Sequence, residues 1–481
     1  MKLPRDFGGL AGLEWLETNG LGGYAMGTVA GAATRGYHGL LVAGVVPPAV
    51  RTMIVTGLDE WLDLKTPVYL STHQYPGAVS PEGYKLIASF DADPMPTWTF
   101  EKDGYRVERR VFMVHGENTT VVRYRLLEGK PVTLSVRPFF VWRDHHARRH
   151  ASLDWWVAAS RAGDAIHCAP SDGGVPVSVY PRPMGGYRED PLWYHRFEYF
   201  RERQRGLEAQ EDAYAPFVAT LPLTPGKDAA LIFTTELLAP SPAAALEREE
   251  LDRRAALRAR MPDHDPASQR LAQAADQFLV IRGAGQRSVI AGYPWFTDWG
   301  RDTMIALAGL TLETGAVDEA ALILSTFADN LADGLLPNRF SDSQGSAEYN
   351  TVDASLWFAV AVHRFQAAGG DAQLIKRVLL PALEGIVQAY ARGTHFEIHE
   401  DADGLVYAGV EGLALTWMDA RVGDKVITPR TGKPVEINAL WYNARMVLAG
   451  LLEDQGRSGE ATALRAKADL TKASFLRSYP D

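Results

Sequence analysis

The 481-residue chain has a single cysteine, Cys168, so it can form no internal disulfide and no zinc site built from cysteines. It has no uninterrupted apolar stretch of the ~20 residues that a membrane-crossing helix needs. Its opening residues, MKLPRDFGGL, lack the apolar core of a secretory signal. Together these absences point to a protein of the cytoplasm with no membrane partner. Excess positive charge is also missing. A formal net charge of −10 argues against a nucleic-acid partner, because phosphate binding needs concentrated Lys and Arg. What the chain does have is bulk. Its length exceeds one ordinary domain, and 46% hydrophobic residues can fill a large core, so two or more domains are expected. It also holds 12 Trp, 18 Tyr and 18 Phe, rings on which the apolar faces of sugars stack. Such rings serve cores and interfaces as well, so the count leans toward a sugar ligand without deciding it.

The periodicity divides the chain in two. Up to about residue 236 the signals are strand-like: Tyr105–Val114, Thr119–Leu127, Val132–Val141 and Ala229–Glu236 are short β-branched or aromatic runs between turn formers. Antiparallel strands with no helices between them predict a β-sandwich over residues 1–240. Residues 241–265 predict a linker helix, with mixed charges along AAALEREELDRRAALRAR and Pro262 and Pro266 at its end. From 266 to 481 the pattern is helical. Seven helices are expected: Ala267–Ile281, Asp302–Glu313, Val317–Leu331, Thr351–Gln366, Ala372–Ala391, Val435–Leu452 and Gly459–Arg477. Their long, aromatic-rich loops suggest stacked helical hairpins or an α/α barrel.

Three constellations could carry chemistry. The densest is Tyr293-Pro-Trp-Phe-Thr-Asp-Trp-Gly-Arg-Asp302, ahead of an apolar helix. Trp295, Asp298, Trp299, Arg301 and Asp302 are expensive to bury, but they combine the rings, carboxylates and guanidinium fork that bind sugar hydroxyls. Asp302 is also well placed to cap the helix that follows. The second is Ala414-Leu-Thr-Trp-Met-Asp-Ala-Arg421, where Trp417 and Met418 flank Asp419 with apolar surface that would raise a carboxyl pKa. A glycosidase needs such a protonated acid to donate to the leaving oxygen. The plainer reading is a turn aspartate paired with Arg421. The third is Asp353 with Trp357, readable as wall residues or as a helix cap and a core ring. Asn338, Arg339 and Glu436 complete the polar residues at helix–loop junctions.

Two further motifs lead elsewhere. Gly20-Leu-Gly-Gly-Tyr-Ala25 fits a dinucleotide fingerprint, but the Gly-rich stretch after it is a poor helix, so no nicotinamide cofactor is expected. His146 and His150 have the spacing of a zinc helix, yet Arg143, Arg148 and Arg149 would repel a cation, and no metal is expected.

At the level of longer motifs, Asn19-Gly-Leu-Gly-Gly-Tyr24, Thr34-Arg-Gly-Tyr-His-Gly-Leu-Leu41 and Arg205-Gly-Leu-Glu-Ala-Gln-Glu-Asp212 resemble the N-terminal domain of archaeal and bacterial glycogen debranching enzymes. Trp295–Thr303, Thr416–Asp419 and Pro434–Trp441 resemble their glucosidase domain. The resemblance runs from about residue 13 to about 479. It implies a glycan-binding or supporting β-sandwich followed by an (α/α)₆ barrel, with no cofactor and with glycogen or branched maltodextrin as partner. The implied reaction hydrolyses an α-1,6-linked glucose stub with inversion. Asp419 falls on the general acid, and Arg301 and Asp302 on residues that bind the terminal glucose. Asp353, Trp357, Trp417 and Glu436 are carried over as wall residues. Seven helices are fewer than the twelve of such a barrel, and the family's general base, a glutamate, has no counterpart before Asp481. The expectation is therefore a barrel truncated after about seven helices, inactive by itself. The alternatives are a related exo-α-glucosidase of glucoamylase type, a disaccharide phosphorylase, or a glycan-binding fragment.

Overall fold

A computed structural model describes residues 3–261, 265–283, 285–340 and 347–479. Pro262 lies outside the described residues. The chain forms two compact units, Met1–Ala256 and Leu257–Asp481.

The first unit is sandwich-like, with two eight-stranded antiparallel sheets. One follows the order Glu14–Thr18, Tyr24–Thr28, Gly39–Val46, Val50–Leu62, Val132–Asp144, Gln210–Leu223, Gly186–Glu198, with the short strand Val68–Tyr69 also paired to Val50–Leu62. The other runs Val157–Ala162, Ala165–Pro170, Val177–Arg182, Asp228–Thr234, Thr119–Glu128, Tyr105–Met113, Thr97–Lys102, Ile87–Asp91. Alternation drives this arrangement: in Gln210–Leu223 buried Ala213, Ala215, Phe217, Ala219 and Leu221 lie two residues apart, on one face. Phe217, Ala219 and Leu221 meet Trp98, Tyr124, Val136 and Phe140 in a common core.

Charges buried in this unit are closed off by partners. Arg143 grips Glu211 in a bidentate pair, and the Tyr199 hydroxyl donates to the same carboxylate at 2.6 Å. Arg109 donates to Glu60 at 2.6 Å. The helix α1 (Ala243–Ala259) is not a free linker. Its Ala243 and Leu246 pack with Phe112 and Ile232, Glu247 pairs with Arg110 and Arg123, and Arg254 lies between Glu17 and Glu250. It also stops short of residue 265, where Asp265 caps the next helix.

The motifs quoted from this half are structural. Gly20 and Gly22, with φ of +72° and +84°, turn the chain between two antiparallel strands, and a strand rather than a helix follows. The dinucleotide reading therefore has no helix to stand on. The Asn19 side chain holds the turn by accepting from the Leu21 N–H and donating to Asn118 and to the Glu117 carbonyl. Gly36 gives its N–H to buried Glu202. His146 and His150 lie in a turn and the loop after it, so the i, i+4 spacing puts them on no common helical face.

The second unit is helical: α2 (Pro266–Asp276), α3 (Gly300–Leu307), α4 (Val317–Asp329), α5 (Ala354–Ala367), α6 (Leu380–Arg392), α7 (Val435–Asp454) and α8 (Ser458–Ser478). The helix expected to reach Ile281 ends at Asp276, and Leu279–Arg282 instead pairs with Gln286–Val289, as its β-branched residues favour. The second and fifth expected helices contain turns of wider π geometry, at Ala308–Leu312 and Ile375–Leu379. Phe327, Phe358, Tyr390 and Trp441 lie in one core, the last two with ring centroids 5.8 Å apart. Among the described residues no helix is long and apolar enough to cross a membrane.

Candidate active site

A cavity of ≈ 550 Å³ opens among the loops of the helical unit. Its wall carries the rings of Phe296, Trp299 and Trp417, the charges of Arg301, Asp302, Glu348, Asp419 and Arg421, and the amides of Asn338 and Asn350. Such a volume lies within the range of small-molecule sites, on the order of 300–1,000 Å³.

Local backbone chemistry builds the wall. Trp299 is extended and precedes α3, and its backbone bridges Arg339, which in turn bridges Glu348. Gly300 must be glycine, because a Cβ there would meet the Pro337 carbonyl oxygen at 2.0 Å. Its N–H instead donates to the Asn338 carbonyl at 2.9 Å, which clamps the loop after α4 against the start of α3. The Asp419 loop is tied in by Val352, whose N–H donates to the Leu415 carbonyl, while the Tyr390 hydroxyl donates to the Val352 carbonyl at 2.8 Å.

At the centre stands Arg301, only 7% exposed. Its Nε donates to both oxygens of Asp353, at 2.9 and 2.8 Å, and its Nη1 reaches Asp419 Oδ2 at 3.4 Å. Asp419 keeps about half of its side chain in solvent, 52%, beside a Trp417 ring that is 58% exposed. Burial pushes the Asp302 carboxyl above the usual carboxylate range. Arg301 opposes that rise, whereas Asp353 and Asp419 add to it. A half-open carboxyl, a partly buried one and exposed rings suit a neutral polyhydroxylated ligand whose bond is broken by proton transfer.

Residues 13–230 match the family model described as the N-terminal part of glycogen debranching enzyme. Residues 273–481 match the one described as amylo-alpha-1,6-glucosidase. The glycogen debranching enzyme of Saccharomyces cerevisiae is 28% identical over 224 residues, which cover 34% of this chain and 14% of the yeast protein. Together these matches make the chain a glycogen debranching enzyme-like protein. A bacterial glucoamylase complexed with acarbose shares the fold at a TM-score of 0.52 and 11% identity, over 96% of this chain and 66% of the other. The debranching enzyme-like chain thus spans a small part of the yeast relative and under two thirds of the glucoamylase.

Of the residues marked in the sequence, Trp299, Arg301, Asp302, Asn338, Trp417 and Asp419 come together on the cavity wall. The others stand behind or away from it. Asp298 is fully buried and held by Arg282 at 2.9 Å, an internal ion pair. Asp353 is buried behind Arg301, and Arg339 pairs with Glu348 at 2.6 Å. Trp357 packs against the core, and half-buried Trp295 is off the wall, where its neighbour Phe296 stands instead. Glu436 lies in the first turn of α7, paired with Arg430.

Three narrower expectations change. Asp302 is the third residue of α3 rather than its cap. Asp353 occupies the cap position of α5 but gives its carboxylate to Arg301 and Thr351 rather than to the backbone. Asp419 is neighboured by Arg301, while Arg421 donates to the Asp424 carbonyl. Sequence reasoning missed Phe296, Glu348 and Asn350. Phe296 sat inside the marked motif, but Glu348 and Asn350 reach the wall only through backbone pairing with Arg339 and a side-chain bond to Asn338.

Proposed function

We propose that the helical unit is a glycoside hydrolase site that removes α-1,6-linked glucose from branch points of glycogen or limit dextrin, with inversion. Asp419 is the proton donor. It is the wall carboxyl that combines solvent access for a leaving oxygen with an adjacent exposed indole, Trp417, and this observation carries the reading. Trp299, Phe296 and Trp417 supply faces for the sugar rings, and Asn338, Asn350 and Asp302 supply donors and acceptors for hydroxyls. Inversion requires a second carboxylate about 6.5–9.5 Å from the first, with a water between it and the anomeric carbon.

The test is incubation with phosphorylase limit dextrin, following free glucose and its anomeric form by proton NMR. From a form of the protein that also supplies this second carboxylate, the expected first product is β-glucose, released without phosphate. α-Glucose as first product would exclude inversion. Release that depends on phosphate would make the protein a phosphorylase, and binding with no release under any condition would make it a glycan-binding protein.

A further inference from the structure

We propose that Asp353 is a positioning residue for the proton donor, acting by holding the Arg301 guanidinium back from Asp419; this rests on the reading of Asp419 as the acid. The geometry is a chain of contacts. The Thr351 hydroxyl donates to Asp353 Oδ1 at 2.7 Å, Asp353 takes Arg301 Nε with both oxygens at 2.9 and 2.8 Å, and Arg301 Nη1 reaches Asp419 at 3.4 Å. Charge-assisted N–H···O bonds measure about 2.7–2.9 Å, so Asp353 has the full bond and Asp419 only a weak share.

The asymmetry matters chemically. A general acid must reach the transition state with its proton, and a cation bonded directly to a carboxylate strips that proton by favouring the charged form. Asp353, with its side chain only 2% exposed, cannot touch a sugar, but it can absorb the arginine's charge. The other charged groups facing Asp419 across the cavity are Asp302, Glu348 and Arg421. Glu348 is bound to Arg339, and Arg421 to a backbone carbonyl. Asp353 and Asp419 therefore share Arg301 by direct contact, and the same guanidinium acts on Asp302. Burial already favours the proton on Asp302, and the field of Asp353 works in the same direction there.

Removing the negative charge while keeping the shape frees Arg301 to turn fully onto Asp419. Removing the positive charge does the opposite. The two substitutions should therefore move one titration in opposite directions, which a merely structural role would not do. The experiment labels aspartate at Cγ in the full chain and follows the Asp419 carbon resonance against pH, assigned by its loss in Asp419→Asn. Asp353→Asn should lower the Asp419 midpoint by about one pH unit, and Arg301→Gln should raise it by about as much. Asp353→Glu should restore the parent midpoint. An unmoved or raised midpoint in Asp353→Asn, or an unraised one in Arg301→Gln, overturns the proposal. Circular dichroism checks folding; if Asp353→Asn does not fold, Asp353→Ser, which removes the same charge from Arg301, takes its place and should lower the midpoint likewise. Full activity in Asp419→Asn would sink the donor assignment, whereas an unmoved titration would sink only the role of Asp353.

Discussion

The two units handle charge inside the protein differently. In the sandwich, the deep cations named above are closed by carboxylates: Arg143 by Glu211, Arg109 by Glu60, Arg254 by Glu17 and Glu250, and Arg123 by Glu247, which it shares with Arg110, and by Asp228. Around the cavity of the helical unit the balance fails, and Asp302, Asp353 and Asp419 crowd one arginine. Desolvated charges must be compensated, so closed pairs mark residues that hold the fold. An uncompensated cluster persists where part of it faces solvent and a ligand. The contrast also operates within the helical unit. Asp298 and Arg282 form a closed pair of the sandwich kind, which is why Asp298 stands apart from the site although it lies in the same motif as Arg301.

The sharpest way to break this comparison is to delete one member from each side. In a form that supplies the second carboxylate, Asp419→Asn should lower the hydrolysis rate by about 10²–10⁴-fold, as loss of a general acid does, while the thermal midpoint hardly moves because the side chain is half exposed. Retention of more than a tenth of the rate would exclude Asp419 as donor. Glu211→Gln should act in reverse, since it leaves the Arg143 charge buried with its carboxylate partner gone. It should cost about 3–5 kcal/mol in urea unfolding. A loss below about 1 kcal/mol, the worth of an exposed pair, would show that closure in the sandwich is incidental to stability.

Asp302 sharpens the comparison from the ligand side. Its carboxyl lies on the wall and has no part in capping α3. Asp302→Ser should preserve the thermal midpoint and weaken substrate affinity by about tenfold or more, the worth of a hydrogen bond to a charged or polar group in a desolvated site. Unchanged affinity would remove Asp302 from the site.

The contrast also explains what could be read from the sequence. Strands such as Val132–Asp144 and Asp228–Thr234 announce themselves by β-branched and aromatic runs between turns. The first four strands, Glu14–Leu62, do not, because Gly20, Gly22, Gly36 and Gly39 serve turns and close approaches that only the folded packing reveals. At the site, motif density found Trp299, Arg301 and Asp302, which are neighbours in the chain. It could not sort Asp298 from Asp302, because that depends on Arg282, sixteen residues upstream. Asp419 was singled out by its chain neighbours Trp417 and Met418, but they do not bury it, since its side chain is 52% exposed, and its charged contact, Arg301, lies 118 residues away. Glu348 carried no local signal, since its place on the wall depends on pairing with Arg339.

The smallest expected effect tests whether the sandwich tolerates any uncompensated group. His145 is 3% exposed, and neither ring nitrogen has a hydrogen-bond partner; its closest acid, Asp144, is 3.8 Å away. Burial, followed by the neighbouring charges of His146, Arg51 and Arg143, holds its pKa down to about 2. The sign follows from linkage. An unfolded histidine binds its proton near pH 6.5, whereas the folded one refuses it until far lower. The unfolded chain therefore gains protons first on acidification. The stability tied to His145 is complete above about pH 6.5 and is lost progressively as pH falls toward about 2, by up to about 1.4 kcal/mol per unit. His145→Phe keeps a flat ring among Tyr37 and His146 but cannot take a proton. Its urea midpoint relative to the parent should thus rise steadily between pH 7.5 and pH 5.5. Parallel pH dependences of the two proteins would show that His145 is protonated without penalty, and that the sandwich, like the cavity, accommodates a charge that no carboxylate closes.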